Sequence, residues 1–247
     1  MILHKKIKLQ LYVVFIFQST FQIFAQSFIE EIFVKIPIEN IDFNVKKRLI
    51  ENHYVFEVIS EINTELFTNK NDIPNNIENS TLIEYRIDKF LPENGFLSFN
   101  ELIHESDAGA HYEVCYWNIT NGEKLIALKS FPYGTNTYDS IDFYRFSENN
   151  LIKIDTEKVI PKLRFNDVVD IEKLKKDNLK ETELLKIFDR ILLFGYNLPS
   201  NEKNIVLDIY PVDFKLKNES EVYILNRYSK YIKKSITLVW NDGNFKI

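Results

Sequence analysis

The sequence predicts an α+β fold, in which an antiparallel β-meander carries two or three helices packed on one face. Between Thr81 and Asp155, short segments of alternating polarity are separated by turn residues, which indicates about six antiparallel strands. Val45–Phe67 and Asp167–Phe194 flank this stretch and carry apolar residues at helical spacing. Further strand patterns follow near the C-terminus. This order of elements favours α+β over an alternating α/β fold.

Turn residues divide the central stretch into strands. Asn94-Gly95 and Asn121-Gly122 stand between alternating segments, and Asn-Gly is the strongest short hairpin signal. The predicted strands are Thr81–Phe90, Phe96–Ile103, Tyr112–Ile119, Lys124–Phe131, Ser140–Phe146 and Leu151–Asp155.

The segment before the first predicted helix mixes strand and coil signals. In Ser27–Asp42 the alternation of Ile32, Val34 and Ile36 favours a strand, and Pro37 restricts that strand to a sheet edge because proline lacks an amide donor.

Behind the meander, Asp167–Phe194 is predicted as two helical segments that are divided at residues 175–178. Thr182 can cap the second segment and Gly195 can end it. Ser220–Lys233 fits both a helix and a strand.

The remaining C-terminal residues predict strands. Ile205–Tyr210 is one, and Ile236–Trp240 with Phe245–Ile247 forms a hairpin.

The N-terminus has the layout of a secretory signal peptide. Basic residues at positions 4–8 precede the apolar run Leu11–Phe17, and small residues follow near Ala25. The apolar run is shorter than the roughly 20 residues of a membrane span. We therefore expect a signal peptide over residues 1–26, a single exported domain over 27–247 in the periplasm or outside the cell, and no integral membrane segment after cleavage.

Charge narrows the class of partner. Without Lys5, Lys6 and Lys8, the 31 basic residues become 28 against 36 acidic ones, which leaves a net charge of −8. Nucleic acids and anionic membranes favour a basic surface, so neither is expected as a partner.

Catalytic and cofactor motifs are not found in the sequence. It contains no Gly-x-Ser-x-Gly elbow, and its six glycines form neither a phosphate-binding loop nor a dinucleotide fingerprint. Cys115 is the one cysteine, and without a surrounding motif we interpret it as a small buried side chain rather than a nucleophile. We predict no cofactor and no assigned catalytic residue.

One candidate metal site lies in a polar segment. His104, Asp107 and His111 carry imidazole and carboxylate groups suited to zinc, although their spacing matches no established ligand motif. The alternative interpretation is a solvated loop that leads into a strand.

Aromatic residues provide a candidate binding surface, for which we select Trp117, Tyr133 and Tyr138. They belong to a set of strand-end and loop aromatics that also includes Tyr116, Phe131 and Tyr144. Exposed aromatic rings stack on sugars or anchor protein partners, whereas strand aromatics commonly pack in a core.

Two functions remain open from the sequence. The first is a non-enzymatic binding protein of the cell envelope or extracellular space, with a protein or glycan as partner. The second is a secreted hydrolase assisted by a metal at His104, Asp107 and His111.

Overall fold

The computed structural model describes residues 28–75, 79–106, 108–134 and 138–247. The strands are β1 (Tyr54–Ile59), β2 (Thr64–Phe67), β3 (Thr81–Leu91), β4 (Phe96–Ile103), β5 (Gly109–Asn118), β6 (Lys124–Tyr133), β7 (Ser140–Ser147), β8 (Asn150–Ile154), β9 (Leu192–Asn197), β10 (Ile205–Pro211), β11 (Ser235–Asn241) and β12 (Asn244–Lys246). An eight-stranded sheet has the order β2-β1-β3-β4-β5-β6-β7-β8, and a four-stranded sheet has the order β12-β11-β10-β9. The predicted α+β class and antiparallel meander are confirmed, with eight strands in the larger sheet.

Most helices are short. They are α1 (28–35), α2 (Phe43–Asn52), α3 (Thr156–Val159), α4 (Phe165–Val168), α5 (Ile171–Lys176), α6 (Glu181–Leu185), α7 (Phe188–Ile191) and α8 (Glu219–Tyr228). The chain divides into two compact units, the first ending at Tyr116 and the second beginning at Trp117.

In the first unit, α1 replaces the edge strand that the sequence predicted. Ile29, Ile32, Phe33 and Ile36 are all fully buried, and their spacing is that of one helix face. Val34, which the predicted alternation placed beside Ile32 and Ile36, is only half-buried. The isoleucine alternation was therefore misleading, because Phe33 belongs to the buried face.

The predicted helix Val45–Phe67 is also wrong beyond Asn52. His53 adopts a left-handed conformation (φ 64°) and its N–H donates to the Leu49 carbonyl, which ends α2. The chain then forms β1 and β2, which pair in antiparallel orientation. Ile62, one of the residues at helical spacing, is 96% exposed, so that spacing was coincidental.

Strands β3 and β4 form the predicted hairpin. Gly95 has φ 66°, and a Cβ there would lie 2.4 Å from the Tyr116 ring, so glycine meets both a backbone and a packing requirement. A bulge between Ile87 and Lys89 leaves Asp88 as the extra residue of β3.

In the second unit, the charged stretch Asp167–Phe194 contains four short helices rather than two. The predicted break is confirmed, since α5 ends at Lys176 and Asn178 is left-handed (φ 53°). Thr182 lies inside α6, which begins one residue earlier. Gly195 does not end a helix but lies within β9, because residues 192–197 pair with β10.

The C-terminal elements resolve the one ambiguous segment. Ser220–Lys233 is mainly helical, because the Asn218 side chain accepts the Glu221 amide (3.1 Å) and caps α8. The predicted terminal hairpin of β11 and β12 is confirmed, with Asp242 and Gly243 at positive φ in its turn.

The predicted signal peptide lies outside the described residues. Within the described ranges, none of the helices combines the length and the apolar composition that crossing a bilayer requires.

Candidate functional site

Two of the three predicted metal-binding residues, His104 and His111, lie in the first unit, on or beside β3–β5. His104 follows β4, and its Nε2 lies 3.1 Å from Glu84 Oε2 on β3. Asp107 is outside the described residues. The His104–Asp107–His111 site therefore stays a prediction.

His111 is held between neighbouring strands. Its Nδ1 lies 2.8 Å from Asn100 Oδ1 and 3.6 Å from Asp88 Oδ2, while its Nε2 lies 3.4 Å from Glu113 Oε1. The carboxylates of Asp88 and Glu113 thus face different nitrogens of the His111 ring, so they do not converge with one ring nitrogen on a single position. Across the described part of the chain, no group of three or more His, Cys, Asp or Glu side chains has metal-binding geometry.

Cys115 is only 2% exposed in the interior of β5. Burial raises the pKa of its thiol well above the ordinary value, and the nearby Glu113 carboxylate acts in the same direction. A catalytic cysteine needs an accessible thiolate, so this environment suits the interpretation of Cys115 as a buried small side chain.

The first unit also buries two carboxylates that the sequence analysis missed. Glu57 on β1 is 9% exposed and Glu101 on β4 is 8% exposed. The Tyr85 hydroxyl donates to Glu57 Oε2 (3.1 Å) and lies 3.5 Å from Glu101 Oε1, and the Tyr112 hydroxyl donates to Glu101 Oε2 (3.0 Å). We refer to these four residues as the acid–tyrosine network.

Loss of hydration favours the protonated form of the two carboxyl groups in this network. It raises the pKa of both Glu57 and Glu101, while the hydrogen bonds from Tyr85 and Tyr112 act in the opposite direction. Glu101 shares its side of β4 with the buried Leu97 and Phe99. A glutamate at a core-facing position was the sequence signal that could have revealed the network.

The predicted aromatic residues have different environments in the second unit. Trp117 is 4% exposed, its ring stacks on Trp240 (5.7 Å between centroids), and its Nε1 donates to the Lys203 carbonyl (2.7 Å). Tyr133 is half-buried and has an edge-to-face contact with Phe131. The structure gives Trp117 a packing position, which leaves little of its ring available to a ligand.

Tyr138 is exposed and belongs to a larger surface. Its ring stacks on Phe214 (5.9 Å between centroids, 18° between planes), and Lys215 Nζ lies 5.9 Å and 5.7 Å from the two ring centroids. Tyr138 is 40% exposed, Phe214 57% and Tyr210 53%. We call Tyr138, Tyr210, Phe214 and Lys215 the aromatic patch.

Tyr210 is placed by a glycine. A Cβ on Gly195 would lie 3.0 Å from the Tyr210 ring and 3.4 Å from Asp139 Oδ2, so the absence of a side chain lets the ring and the carboxylate approach β9. Asp139 accepts the Tyr196 amide (2.8 Å), which ties the segment carrying Tyr138 to the same strand. Three chain segments therefore converge on the patch.

Two carboxylates beside the aromatic patch, Asp139 and Asp208, already have partners within the protein. Asp139 Oδ2 lies 3.5 Å from Lys129 Nζ, and Asp208 Oδ2 accepts from the Asn197 side chain (2.7 Å). Partial burial and the carboxylates of Asp208 and Asp139 raise the pKa of Tyr210, so its hydroxyl stays protonated as a donor.

A cleft of about 320 Å³ lies within the second unit and includes the other side of β9 in its lining. Its wall is mainly apolar, with Leu192, Phe194 and Tyr196 from alternate positions of β9. Ile160, Leu163 and Phe188 contribute further apolar lining. We call this space the β9 cleft. The sequence analysis missed it, because it assigned the residues up to Phe194 to a helix.

Sequence comparisons find no relative from which a function could be transferred. No family model matches this chain, and no curated protein matches it. Its fold is similar to that of a solved domain of an uncharacterized protein from Porphyromonas gingivalis W83, with a TM-score of 0.53 and 10% sequence identity over 88% of this chain and 96% of that chain. At this identity, the likeness shows a shared fold and no more.

Proposed function

We propose that this protein is an exported, non-enzymatic binding protein that recognises a protein partner of the cell envelope or extracellular space. The observation that carries this proposal is the aromatic patch, in which the exposed Tyr138 and Phe214 rings stack on each other and the exposed Tyr210 ring lies near Asp139, the neighbour of Tyr138. Tyrosine and other aromatic side chains are enriched among the residues that dominate protein–protein binding energy.

A protein partner is favoured over a glycan by the composition of the patch. A sugar needs several carboxylate and amide groups for its hydroxyls, whereas the members of the aromatic patch are three aromatic side chains and one lysine. An apolar side chain of a protein needs only the open ring faces, and Lys215 can donate to a carbonyl of the partner.

Export rests on the N-terminal sequence pattern. The basic start, the apolar run Leu11–Phe17 and the small residues near Ala25 support cleavage close to residue 26. Expression of the full chain with its N-terminus, followed by N-terminal sequencing of the processed protein, tests this part. Recovery of only the unprocessed cytoplasmic chain would oppose it.

Panning of a random linear peptide library against the mature chain tests the binding function. We expect enriched peptides whose Kd rises at least about tenfold in Tyr138→Ala and Phe214→Ala, because truncation of an anchor ring at a hot spot costs about 2 kcal/mol or more. Tyr223→Ala is the matched control, since Tyr223 is 65% exposed on α8 of the same unit.

A panel of soluble polysaccharides is titrated in parallel. Binding of a polysaccharide that depends on Tyr138, without peptide binding, would replace the protein partner by a glycan. Peptide affinities that do not differ among Tyr138→Ala, Phe214→Ala and Tyr223→Ala would overturn the aromatic patch as the binding surface.

A further inference from the structure

The backbone of β9 has hydrogen-bonding groups that point away from the four-stranded sheet. β9 is the terminal strand of that sheet. On β10, the Ile209 amide donates to the Lys234 carbonyl (2.8 Å), so the backbone groups of Ile209 point toward β11 and away from β9. Ile209 is opposite Phe194 on β9, and the two therefore form a non-hydrogen-bonded pair. The N–H and C=O of Phe194 therefore point outward from β10.

A second hydrogen bond gives the same orientation independently. Tyr196 is two residues beyond Phe194, and its amide donates to the Asp139 side chain rather than to β10 (2.8 Å). Because orientation repeats every two residues along a strand, Leu192, Phe194 and Tyr196 all present their backbone groups at the outer edge.

Among the four strands that end the two sheets, β9 differs in composition. β2 contains Glu65, β8 contains Lys153 and β12 contains Lys246, whereas β9 reads Leu-Leu-Phe-Gly-Tyr-Asn without charge or proline. Charged residues at edge strands oppose pairing with other chains. β9 itself contains no charged residue, and Asp139 caps its Tyr196 amide, so the Leu192–Phe194 end is the part suited to accept a strand.

The β9 cleft lies on the face of the sheet toward which alternate side chains of an added strand would point. Leu192, Phe194 and Tyr196 line it, and these are the residues whose backbone groups face the outer edge. Side chains of a strand alternate between two faces, so every second side chain of an added strand would enter the cleft. The others would lie on the face of Gly195 and Tyr210, where the aromatic patch is found.

We propose that the protein ligand binds as a short extended peptide, which pairs with the outer edge of β9 and places alternate apolar side chains in the β9 cleft. This inference rests on the proposed function and specifies its partner. Asp139 already accepts the Tyr196 amide, which limits strand pairing mainly to the Leu192–Phe194 end of β9. A short peptide can pair over so few residues, whereas the sheet of a second copy would need a longer edge. Strand addition gains affinity from main-chain hydrogen bonds and specificity from alternate side chains.

The test uses the tightest linear peptide from the library and the full mature chain. Each peptide amide is N-methylated in turn, which removes one donor without altering the protein. We expect a period of two along the peptide, with methylation at alternate positions raising Kd about tenfold and methylation between them having little effect. The intervening positions are internal controls.

Hydrogen exchange provides an independent readout on the protein. The Phe194 amide should exchange at least about tenfold more slowly in the complex, while the exposed helix α8 should not change. Peptide binding that is sensitive to Tyr138→Ala, but without the alternating pattern or Phe194 protection, would overturn strand addition and leave the proposed function intact.

Two further outcomes complete the test. Failure of every library peptide to bind would oppose the proposed function and this inference together. Concentration-dependent dimerisation in sedimentation, with Phe194 protected in the absence of peptide, would show that a second copy occupies the edge and would overturn the peptide proposal.

Discussion

The two units depart from the usual placement of side chains in opposite ways. The first buries the carboxylates of Glu57 and Glu101, and the second exposes the rings of Tyr138, Tyr210 and Phe214. Buried polar groups and exposed apolar surfaces are the informative exceptions in a folded protein. The two units differ in whether the protein itself supplies partners for these groups, which are hydrogen-bond donors for the carboxylates and packing for the rings.

In the first unit the exceptional groups are satisfied internally. Tyr85 and Tyr112 hydrogen-bond to the two carboxylates, so the acid–tyrosine network needs no ligand. In the second unit the three rings retain 40–57% exposure. The buried acids therefore have partners within the unit, whereas the proposed binding role rests on the exposed aromatics.

Trp117→Ala should have the largest effect on stability. Trp117 is packed against Trp240 and Phe245, and truncation of a buried tryptophan typically destabilises a protein by about 3–5 kcal/mol. Urea unfolding followed by circular dichroism measures the loss, with Tyr223→Ala as the exposed control. A loss below about 1 kcal/mol would mean that Trp117 is not a packing residue.

Tyr85→Phe should destabilise the first unit by about 1–3 kcal/mol, because it removes the donor shared by two buried carboxylates. Tyr54→Phe on β1 is the matched control, since Tyr54 is 45% exposed. Hydrogen exchange of peptides from the first unit reports this change. Equal exchange in the two variants would contradict an energetic role for the network.

The next largest effect should be on the pH dependence of the stability of the first unit, through Glu101. The folded-state pKa of Glu101 is raised by burial, so the folded protein binds its proton more tightly than the unfolded chain, whose glutamates titrate near about 4.3. The stability contributed by the protonated group is present below that value and is lost as the pH rises through the folded-state pKa.

Glu101→Gln should therefore reduce the loss of stability that the first unit shows as the pH rises above about 4.3. Hydrogen exchange follows the first unit, and tryptophan emission follows the second, which holds both Trp117 and Trp240. A steeper pH dependence in Glu101→Gln would show that the sign of this contribution is wrong.

The smallest stability effects should follow Tyr138→Ala and Phe214→Ala. These side chains are exposed, and loss of their stacking should cost less than about 1 kcal/mol in urea unfolding. Greater destabilisation would mean that the aromatic patch is structural, like the acid–tyrosine network, and the contrast between the units would disappear.

Local sequence signals predicted the parts of the fold that depend on near neighbours. Asn-Gly in the β3–β4 connection and Asp-Gly in the β11–β12 turn specify positive-φ conformations, and the hairpins that they predict are present. Helix prediction failed where spacing alone decided it, as at the fully exposed Ile62. The missed strand β9 needed β10 as its partner before its apolar residues could be distinguished from a helix face.

The sequence by itself determined the α+β class, because turn chemistry acts over a few residues. It grouped the exposed Tyr138 with the half-buried Tyr133 and the buried Trp117 as one candidate surface. Only the tertiary structure decided that Trp117 is buried, that Tyr138 stacks on Phe214, and that Tyr85 lies between two buried acids. Those contacts join residues far apart in the chain, and strand pairing and burial establish them.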